Sequence, residues 1–358
     1  MGAFFISCGG TGGHVFPGLA TADTLRERGH DVTVCFAGKA IEQAARRSWD
    51  GPSVILAAEN YGASPAGLLK TLRALSSAYR RALVELRERR TDAVLAMGSY
   101  SSIAPVLAAR RLRIPVVIHE ANVIPGRAVE FLSRFSEAVA LTFPETLKRL
   151  RHGRKVVTGV PLRKALEQAA AASHPEPDTF TVLVMGGSQG AQRLNEQVPQ
   201  ALAQLYSSGV ALQVIHLSGE RDKSRVETQY SAAGVPCSVA AFQQDMAAVY
   251  SKASLAIARS GASSCAELML FRVPSVLVPY PQAARNHQAA NAAALADAGG
   301  ALVIEQTHLS ADGLASALRT LHDDRTRLAD MRERLQRLDI AGAAGRLADL
   351  IERTGAKR

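Results

Sequence analysis

With 358 residues, of which 47% are hydrophobic and 21% charged, the chain is long and apolar enough for two domains with buried cores, which excludes a disordered polypeptide. No stretch approaches the roughly 18 consecutive apolar residues of a membrane span, and no basic lead-in before a long apolar region marks a secretory signal. The 4 cysteines form no Cys-x-x-Cys pair, so neither a metal site nor a disulfide framework is expected, while the net charge of +10 predicts an acidic partner.

Short apolar runs alternate with helical stretches along the whole chain. Continuous Val, Ile and Leu runs are typical of parallel strands covered on both faces, and strand–helix alternation predicts βαβ units. We therefore predict an α/β protein with two doubly wound, Rossmann-like parallel-sheet domains. The predicted strands are residues 3–8, 31–36, 53–57, 93–97, 115–119, 138–141 and 155–158 in the first half, and 181–185, 211–217, 237–240, 255–258, 275–278 and 302–304 in the second.

The first predicted strand runs into a glycine-rich turn, residues 9–14, that opens a helix. Such a turn lets backbone N–H groups approach an anion, and the helix N-terminus adds partial positive charge. A dinucleotide fingerprint would need glycine in place of Val15, and a P-loop would need Gly-Lys-Ser/Thr, so a nicotinamide cofactor and ATP are both disfavoured. His14 could act as a general base, because the helix N-terminus disfavours its protonation, or it could simply cap the helix.

A basic and apolar stretch at residues 67–90 predicts one or two amphipathic helices. Its leucines suit ordinary core packing, but a basic amphipathic surface also suits anionic lipid, at about 1 kcal/mol per well-placed cation. Residues 1–160 hold 22 Lys and Arg against 13 Asp and Glu, which favours peripheral membrane contact. Nucleic acid is not an expected partner, because aromatic residues make up only 5% of the chain and no nucleic-acid-binding motif is present.

The chain is expected to change domain at residues 159–163, Gly-Val-Pro-Leu-Arg, giving domains of residues 1–160 and 161–342. A helix over residues 162–172 and a loop over residues 173–178 should follow. The second domain then opens on another strand, glycine turn and helix, with the turn at residues 186–190. Two such turns predict two similar halves that face one phosphate-bearing ligand across a cleft.

The C-terminal residues 314–353 are predicted to be helical. Gly342 and Gly345 are candidate breaks in this segment. A break there would let the last helix, about residues 343–358, return to the first domain.

Two polar segments follow strand ends in the second half. Residues 259–267 combine small side chains with hydroxyls, and Glu267 is predicted in the first turn of a helix. There its carboxylate could accept both hydroxyls of a ribose or simply complement the helix dipole. Residues 279–291 are rich in amides that suit sugar hydroxyls, although an ordinary polar loop has the same composition. No Asp-x-Asp pair is present to hold a diphosphate through a metal, so neutralisation would fall to backbone amides, helix dipoles and Arg163.

Taken together, these motifs resemble the MurG family of glycosyltransferases from residue 3 to about residue 310. Residues 9–20 are similar to its first glycine loop, and residues 186–191 with Asn195 are similar to its second. Three further motifs match at residues 119–126, 259–267 and 287–291.

The resemblance implies a GT-B fold and a metal-independent, inverting transfer of N-acetylglucosamine from UDP-N-acetylglucosamine, with no cofactor. The acceptor would be the 4-hydroxyl of N-acetylmuramoyl-pentapeptide on undecaprenyl diphosphate, in peptidoglycan synthesis. The protein would then work as a peripheral protein at the cytoplasmic face of the plasma membrane. Its implied partners include the anionic membrane surface and other cell-wall synthesis proteins.

The resemblance also implies roles for individual residues, with His14 as the catalytic base. Glu267 would hold the ribose, the main chain at Gln243 would read uracil, and Asn122 and Gln288 would bind the sugar hydroxyls. The implied substrate-binding residues are Thr11, Gly12, Gly13, Asn122, Arg163, Ser188, Gln243, Ala262, Ser263, Ser264, Cys265, Ala266, Glu267 and Gln288.

The chain departs from the family pattern mostly in its first domain. Ser99, Ile103 and Ala104 replace residues of a Gly-Gly-Tyr-x-Ser-Gly-Pro motif, and Ala121 replaces a usual Gln. In the second domain, Gln243 stands where an aliphatic residue is common. Two alternatives stay open. One is a GT-B transferase with another lipid or small-molecule acceptor, and the other is a non-catalytic subunit that binds a UDP-sugar and recruits a partner to the membrane.

Overall fold

The computed structural model describes residues 1–39, 42–57, 64–172, 179–187, 190–338 and 340–356. The chain divides into two compact units. The first contains Met1–Arg163 together with Gly342–Arg358, and the second contains Lys164–Ala341. Within the described residues, each unit is built on one parallel β-sheet with helices packed against it.

The sheet of the first unit has seven strands in the order β3-β2-β1-β4-β5-β6-β7, and that of the second has six in the order β10-β9-β8-β11-β12-β13. All the strand pairs are parallel. Every strand predicted from the sequence is confirmed, with ends that differ by at most two residues. The strands are β1 (Ala3–Ser7), β2 (Asp31–Phe36), β3 (Ser53–Ile55), β4 (Ala93–Ala96), β5 (Val116–Glu120), β6 (Ala138–Leu141), β7 (Arg154–Val157), β8 (Phe180–Met185), β9 (Leu212–Leu217), β10 (Cys237–Ala240), β11 (Leu255–Ala258), β12 (Ser275–Leu277) and β13 (Ala301–Val303).

The helices cover both faces of each sheet. They are α1 (Gly12–Glu27), α2 (Gln43–Ser48), α3 (Pro65–Glu88), α4 (Ile103–Arg111), α5 (Arg127–Leu132), α6 (Lys164–Ala172), α7 (Gln192–Ser207), α8 (Lys223–Ala232), α9 (Met246–Lys252), α10 (Ala262–Leu270), α11 (His287–Asp297), α12 (Ala311–Asp323), α13 (Arg325–Gln336) and α14 (Ala343–Gly355). The loop predicted at residues 173–178 lies outside the described residues.

The first unit has a core on each face of its sheet, because successive side chains of a strand point to opposite sides. In β1, Phe4 and Ile6 join a cluster with residues of α1 and α14, whereas Phe5 joins a cluster with residues of α3 and α4. Leu347 and Ile351 of α14 are fully buried in the first of these clusters. The apolar runs that predicted the strands therefore supply both cores.

The stretch predicted as one or two helices at residues 67–90 is a single helix, α3, of 24 residues. Ser64 caps it by accepting a hydrogen bond from the Gly67 N–H at 3.1 Å. The last turns of α3 pack on the sheet through buried residues such as Leu86, as the core interpretation predicts. Its first turns instead expose three leucines, Leu68, Leu69 and Leu72, which are 55%, 50% and 54% exposed.

The C-terminal segment predicted as helical from residue 314 is divided into α12, α13 and α14. The predicted break at Gly342 is confirmed, because this residue has φ +72° and precedes the first residue of α14. The predicted break at Gly345 is wrong, since Gly345 lies inside α14 and its carbonyl oxygen accepts a hydrogen bond from Arg28. A further break occurs at Asp324, whose carboxylate caps α13 by accepting from the Arg327 N–H at 2.9 Å.

Candidate functional site

The first glycine loop joins β1 to α1 in the first unit. Thr11 has extended backbone angles and immediately precedes the helix, and Gly12 and Gly13 are its first two residues. The N–H groups at the start of a helix have no carbonyl oxygen of a preceding turn as a partner. Those of Gly12 and Gly13 therefore point out of the N-terminal end of α1. The helix has no acidic residue in its first turn, which leaves the positive end of its dipole uncompensated there.

A buried carboxylate, which no sequence motif marks, holds this loop. Glu42 is fully buried, and its Oε1 accepts a hydrogen bond from the Gly10 N–H at 2.7 Å. Its Oε2 accepts from the Gly38 N–H at 2.8 Å. Gly10 has φ +130°, a backbone conformation that favours glycine. Glu42 therefore fixes the strained part of the first glycine loop against the segment that follows β2.

His14 is the third residue of α1, so it is not the residue that caps the helix; Thr11 occupies that position. The Nδ1 atom of His14 lies 2.9 Å from Oγ1 of Thr11. A neutral imidazole that donates from Nδ1 to this hydroxyl oxygen keeps a lone pair on Nε2. The half-buried His14 can therefore serve as a base through Nε2 when Thr11 accepts the Nδ1 proton.

Asn122 follows β5, at the same edge of the sheet as the first glycine loop, because all strands of this sheet are parallel. The Glu120 Oε1 atom accepts from the Asn122 N–H at 2.9 Å and from its Nδ2 at 3.2 Å. Glu120 Oε2 accepts from the Gly126 N–H at 2.8 Å. Burial raises the pKa of the Glu120 carboxyl, although these hydrogen bonds oppose the shift. Glu120 thus fixes both the backbone and the side chain of Asn122.

One departure from the family motif has a structural explanation. The hydroxyl of Ser99 contacts the hydroxyl of Ser101, and Ser101 Oγ donates to the carbonyl oxygen of Gly9 at 2.8 Å. Ser101 therefore supports the first glycine loop, and Ser99 contacts Ser101 through a hydroxyl that a glycine at position 99 would lack.

Arg163 is the last residue of the first unit and lies beside α1. Its guanidinium is 5.8 Å from the centroid of the Phe16 ring, which is a cation–π contact. The structure therefore brings Arg163 close to the second turn of α1.

The second glycine loop joins β8 to α7 in the second unit. Ser188 and the neighbouring Gln189 lie outside the described residues. Gly190 has φ +75°, and a Cβ atom at this position would lie only 2.2 Å from the carbonyl oxygen of Ser218. Only glycine fits this approach, which seats the loop on the turn after β9.

A buried hydrogen-bond network holds the same turn. Asn195 of α7 donates through Nδ2 to the Ser218 carbonyl oxygen and to Oδ2 of Asp222, both at 2.8 Å. Its Oδ1 atom therefore faces Nε2 of His216, 2.9 Å away, and this nitrogen must donate. The Tyr230 hydroxyl then donates to His216 Nδ1 at 3.0 Å. Because burial lowers the pKa of His216 to about 3, the imidazole stays neutral. The donor and the acceptor of each hydrogen bond in this network are therefore defined.

Glu267 lies in the second turn of α10, so its predicted place in the first turn is wrong. The reason is that α10 begins directly after Gly261, which leaves Glu267 as the sixth helical residue. Its Oε2 accepts a hydrogen bond from the hydroxyl of Tyr250 at 2.7 Å. A role that consists only of complementing the helix dipole is therefore ruled out, since that effect is confined to the first turn.

The beginning of α10 combines helix amides with hydroxyl groups. In the described part of the chain, the Ser263 Oγ atom is buried and has no hydrogen-bond partner. A buried hydroxyl without a partner is costly, and here it lies where an anion would be favoured. The side chains of Ala262, Cys265 and Ala266 are buried, and burial raises the pKa of the Cys265 thiol to about 12.

Segments 259–261 and 279–291 are joined by side-chain hydrogen bonds. Gln288 Oε1 accepts from the Tyr280 N–H at 2.9 Å, which orients the side-chain amide so that Nε2 is its donor. The buried Asn291 donates to the carbonyl oxygen of Ser260 at 3.1 Å. The alternative of an ordinary polar loop does not hold along the whole segment, because residues 287–291 belong to α11.

Gln243 precedes α9 in the second unit, and its side chain turns back on its own backbone. Its Oε1 atom accepts from the Gln244 N–H at 2.9 Å. Asp245 then caps α9 by accepting from the Ala248 N–H at 3.1 Å. In the described residues, no group of three or more His, Cys, Asp and Glu side chains is arranged to hold a metal ion.

Comparison with known proteins gives matches over both units. Residues 4–141 match the glycosyltransferase family 28 N-terminal domain, and residues 181–347 match the glycosyltransferase family 28 C-terminal domain. A Syntrophotalea carbinolica protein named UDP-N-acetylglucosamine–N-acetylmuramyl-(pentapeptide) pyrophosphoryl-undecaprenol N-acetylglucosamine transferase is 37% identical over 345 residues, which is 95% of each chain.

Solved structures agree with this match. The crystal structure of Acinetobacter baumannii MurG is 30% identical, has a TM-score of 0.81 and covers 98% of this chain and 99% of its own. A calicheamicin glycosyltransferase, at 18% identity and a TM-score of 0.71, shares the fold alone. The predicted GT-B architecture, with two parallel-sheet α/β domains, is confirmed.

Proposed function

The chain belongs to glycosyltransferase family 28, and we propose that it transfers N-acetylglucosamine from UDP-N-acetylglucosamine to undecaprenyl-diphosphate-linked N-acetylmuramoyl-pentapeptide. The observation that carries this proposal is the match to the Syntrophotalea carbinolica transferase along almost the whole of both chains. The residues of both units that would bind and react are consistent with that activity.

The second unit binds the donor in this proposal. Glu267 accepts hydrogen bonds from the ribose hydroxyls, and the main chain at Gln243 reads uracil at the beginning of α9. Gln288 meets the sugar through Nε2, because its Oε1 is engaged by Tyr280. Support comes from the orientation of these groups, each of which is held by a neighbouring side chain or backbone group.

The diphosphate is neutralised by helix N-termini rather than by a divalent ion. The amides at the beginning of α10, together with the hydroxyls of Ser263 and Ser264, face the phosphates, and Ala262, Cys265 and Ala266 contribute through their main chain. Ser188 and Arg163 supply the remaining phosphate contacts. Helix amides and dipoles fixed in advance stabilise the charge that develops on the leaving UDP without reorganising.

The first unit binds the acceptor and supplies the base. Thr11, Gly12 and Gly13 place backbone N–H groups beside the reacting diphosphate, and Asn122, oriented by Glu120, contacts sugar hydroxyls. His14 Nε2 takes the proton of the acceptor 4-hydroxyl. At the same time the oxygen of that hydroxyl bonds to the anomeric carbon of the donor sugar, and the bond from this carbon to UDP breaks. A single displacement of this kind inverts the anomeric configuration.

Peripheral contact with the cytoplasmic face of an anionic membrane completes the proposal. In the described residues, no helix has both the length and the apolar content that crossing a bilayer requires. The exposed leucines of α3 alternate with Lys70 and Arg73, a combination that suits the headgroup region of a membrane. Such contact would bring the first unit to a lipid-linked acceptor.

A transfer assay tests the proposed reaction. The purified protein is incubated with radiolabelled UDP-N-acetylglucosamine and the lipid-linked muramoyl-pentapeptide, with and without EDTA. Label is expected in the lipid product under both conditions. Binding of the donor without any transfer would favour the non-catalytic subunit, and transfer to other acceptors alone would favour a different transferase. Loss of activity with EDTA would contradict the metal-independent mechanism.

A further inference from the structure

Tyr250 of α9 is buried and contacts the residue proposed to hold the ribose. Its hydroxyl donates to Oε2 of Glu267 at 2.7 Å, a short distance typical of a hydrogen bond to a charged acceptor. Its ring stacks on Phe271, the residue that directly follows α10, with centroids 5.1 Å apart and an interplanar angle of 24°. The hydroxyl is also 3.4 Å from Sδ of Met185 at the end of β8. Three contacts, from Glu267, Phe271 and Met185, therefore fix the position of this phenol.

The Tyr250 phenol is a permanent donor at neutral pH. Its burial, and then the negative charge of Glu267, raise its pKa well above the ordinary value. The terminal torsion of a glutamate side chain is broad, so a half-exposed carboxylate adopts many orientations unless a partner restricts it. A fixed donor on Oε2 restricts the plane of the Glu267 carboxylate.

The same hydrogen bond connects two parts of the proposed donor site. Helix α9 begins at Met246, directly after the capping residue Asp245 and three residues after Gln243. Helix α10 carries Glu267. The segment proposed to read uracil and the carboxylate proposed to hold ribose are thus joined through Tyr250.

We propose that Tyr250 is a positioning residue that orients the Glu267 carboxylate for the two hydroxyls of a ribose through the bond between its hydroxyl and Oε2. This inference rests on the proposed function, which gives Glu267 its ligand. It adds to that function a residue that contacts no substrate and yet contributes to the selection of ribonucleotides over deoxyribonucleotides.

The test compares two ligands in two variants by titration calorimetry. The ligands are UDP and 2′,3′-dideoxy-UDP, which lacks both ribose hydroxyls. The variants are Tyr250→Phe and the matched control Tyr230→Phe, which removes another buried tyrosine hydroxyl in the same unit, one that bonds His216 instead. Thermal unfolding of each variant establishes that it is folded.

We expect Tyr250→Phe to weaken the binding of UDP about tenfold, as loss of a hydrogen bond to a charged group does. The binding of dideoxy-UDP should weaken by less than about twofold, because this ligand has no ribose hydroxyls for the oriented carboxylate to bind. Tyr230→Phe should change both affinities by the same factor. In a Glu267→Ala background, Tyr250→Phe should have no further effect on UDP, and this result stands even if the single variant is unstable.

Equal weakening of both ligands by Tyr250→Phe, or no weakening of either, would overturn the inference while leaving the proposed function intact. A loss selective for UDP in Tyr230→Phe would overturn it as well. If the unmodified protein binds UDP no better than dideoxy-UDP, the ribose role of Glu267 is wrong and the role of Tyr250 fails with it.

Discussion

At the scale of single residues, the chemistry of His14 depends on which of its ring nitrogens carries the proton. Its Nδ1 atom lies 2.9 Å from Thr11 Oγ1, and a neutral ring that donates from Nδ1 to this hydroxyl carries its lone pair on Nε2. The proposed base therefore depends on Thr11 accepting the Nδ1 proton.

We predict that His14→Ala lowers kcat by about a hundredfold or more, the range of general-base catalysis, while KM for UDP-N-acetylglucosamine changes little. Steady-state kinetics with the lipid-linked acceptor provide the measurement. His308→Ala, which removes an exposed histidine of the second unit, is the matched control and should retain normal kcat. Near-normal turnover of a folded His14→Ala protein would assign the base elsewhere.

Sequence reasoning identified the residues whose type carries chemistry but missed those that orient them. Glycines and the Glu267 carboxylate are recognisable from motif and spacing. Glu42 and Tyr250 act through contacts with residues distant along the chain, and nothing in their local sequence marks them as buried. The predicted position of Glu267 was wrong by one helical turn because the first residue of α10 depends on how the preceding loop folds.

At the scale of elements, α3 serves two purposes along its length. Its C-terminal turns fill the core, whereas its first turns present leucines and cations to solvent. The hydrophobic stripe in the sequence does not show which of its turns are buried and which are exposed, because burial depends on where α4 and the sheet end. Strands were easier to predict, since short continuous apolar runs that alternate with helical stretches are typical of a parallel sheet covered on both faces.

We predict that the combined substitution of Leu68, Leu69 and Leu72 by Ser abolishes sedimentation with vesicles containing phosphatidylglycerol. The apolar contact is lost while little core packing changes, because these side chains are already about half exposed. Val84→Ser, at an exposed position farther along α3, is the control and should leave binding unchanged. Equal binding to neutral vesicles, or full binding by the triple variant, would contradict a basic apolar docking surface on α3.

At the scale of the whole molecule, the first unit is assembled from both ends of the chain. Helix α14 packs on α1 and supplies fully buried Leu347 and Ile351 to its core. Arg28, which directly follows α1, adds ion pairs with Asp349 at 2.8 Å and with Glu352 at 2.9 Å. Apolar burial dominates this attachment, because exposed ion pairs contribute little stability.

We predict that Ile351→Ala lowers the free energy of unfolding of the first unit by about 2–5 kcal/mol, the usual cost of such a truncation in a core. Chemical denaturation followed by circular dichroism measures the loss. Arg353→Ala, on the exposed face of α14, should cost no more than about 0.5 kcal/mol. A similar small effect for Ile351→Ala would show that α14 is dispensable to the core.

The attachment of α14 also has a consequence for biosynthesis. The ribosome produces the sheet of the first unit before residues 164–341, but the helix that completes one of its cores only after them. Residues 164–341 emerge as a continuous stretch and have all their own strands before that helix exists. The nascent chain therefore carries an uncovered apolar face while the second unit is synthesised, and the first unit can complete its core only after the strands of the second unit exist.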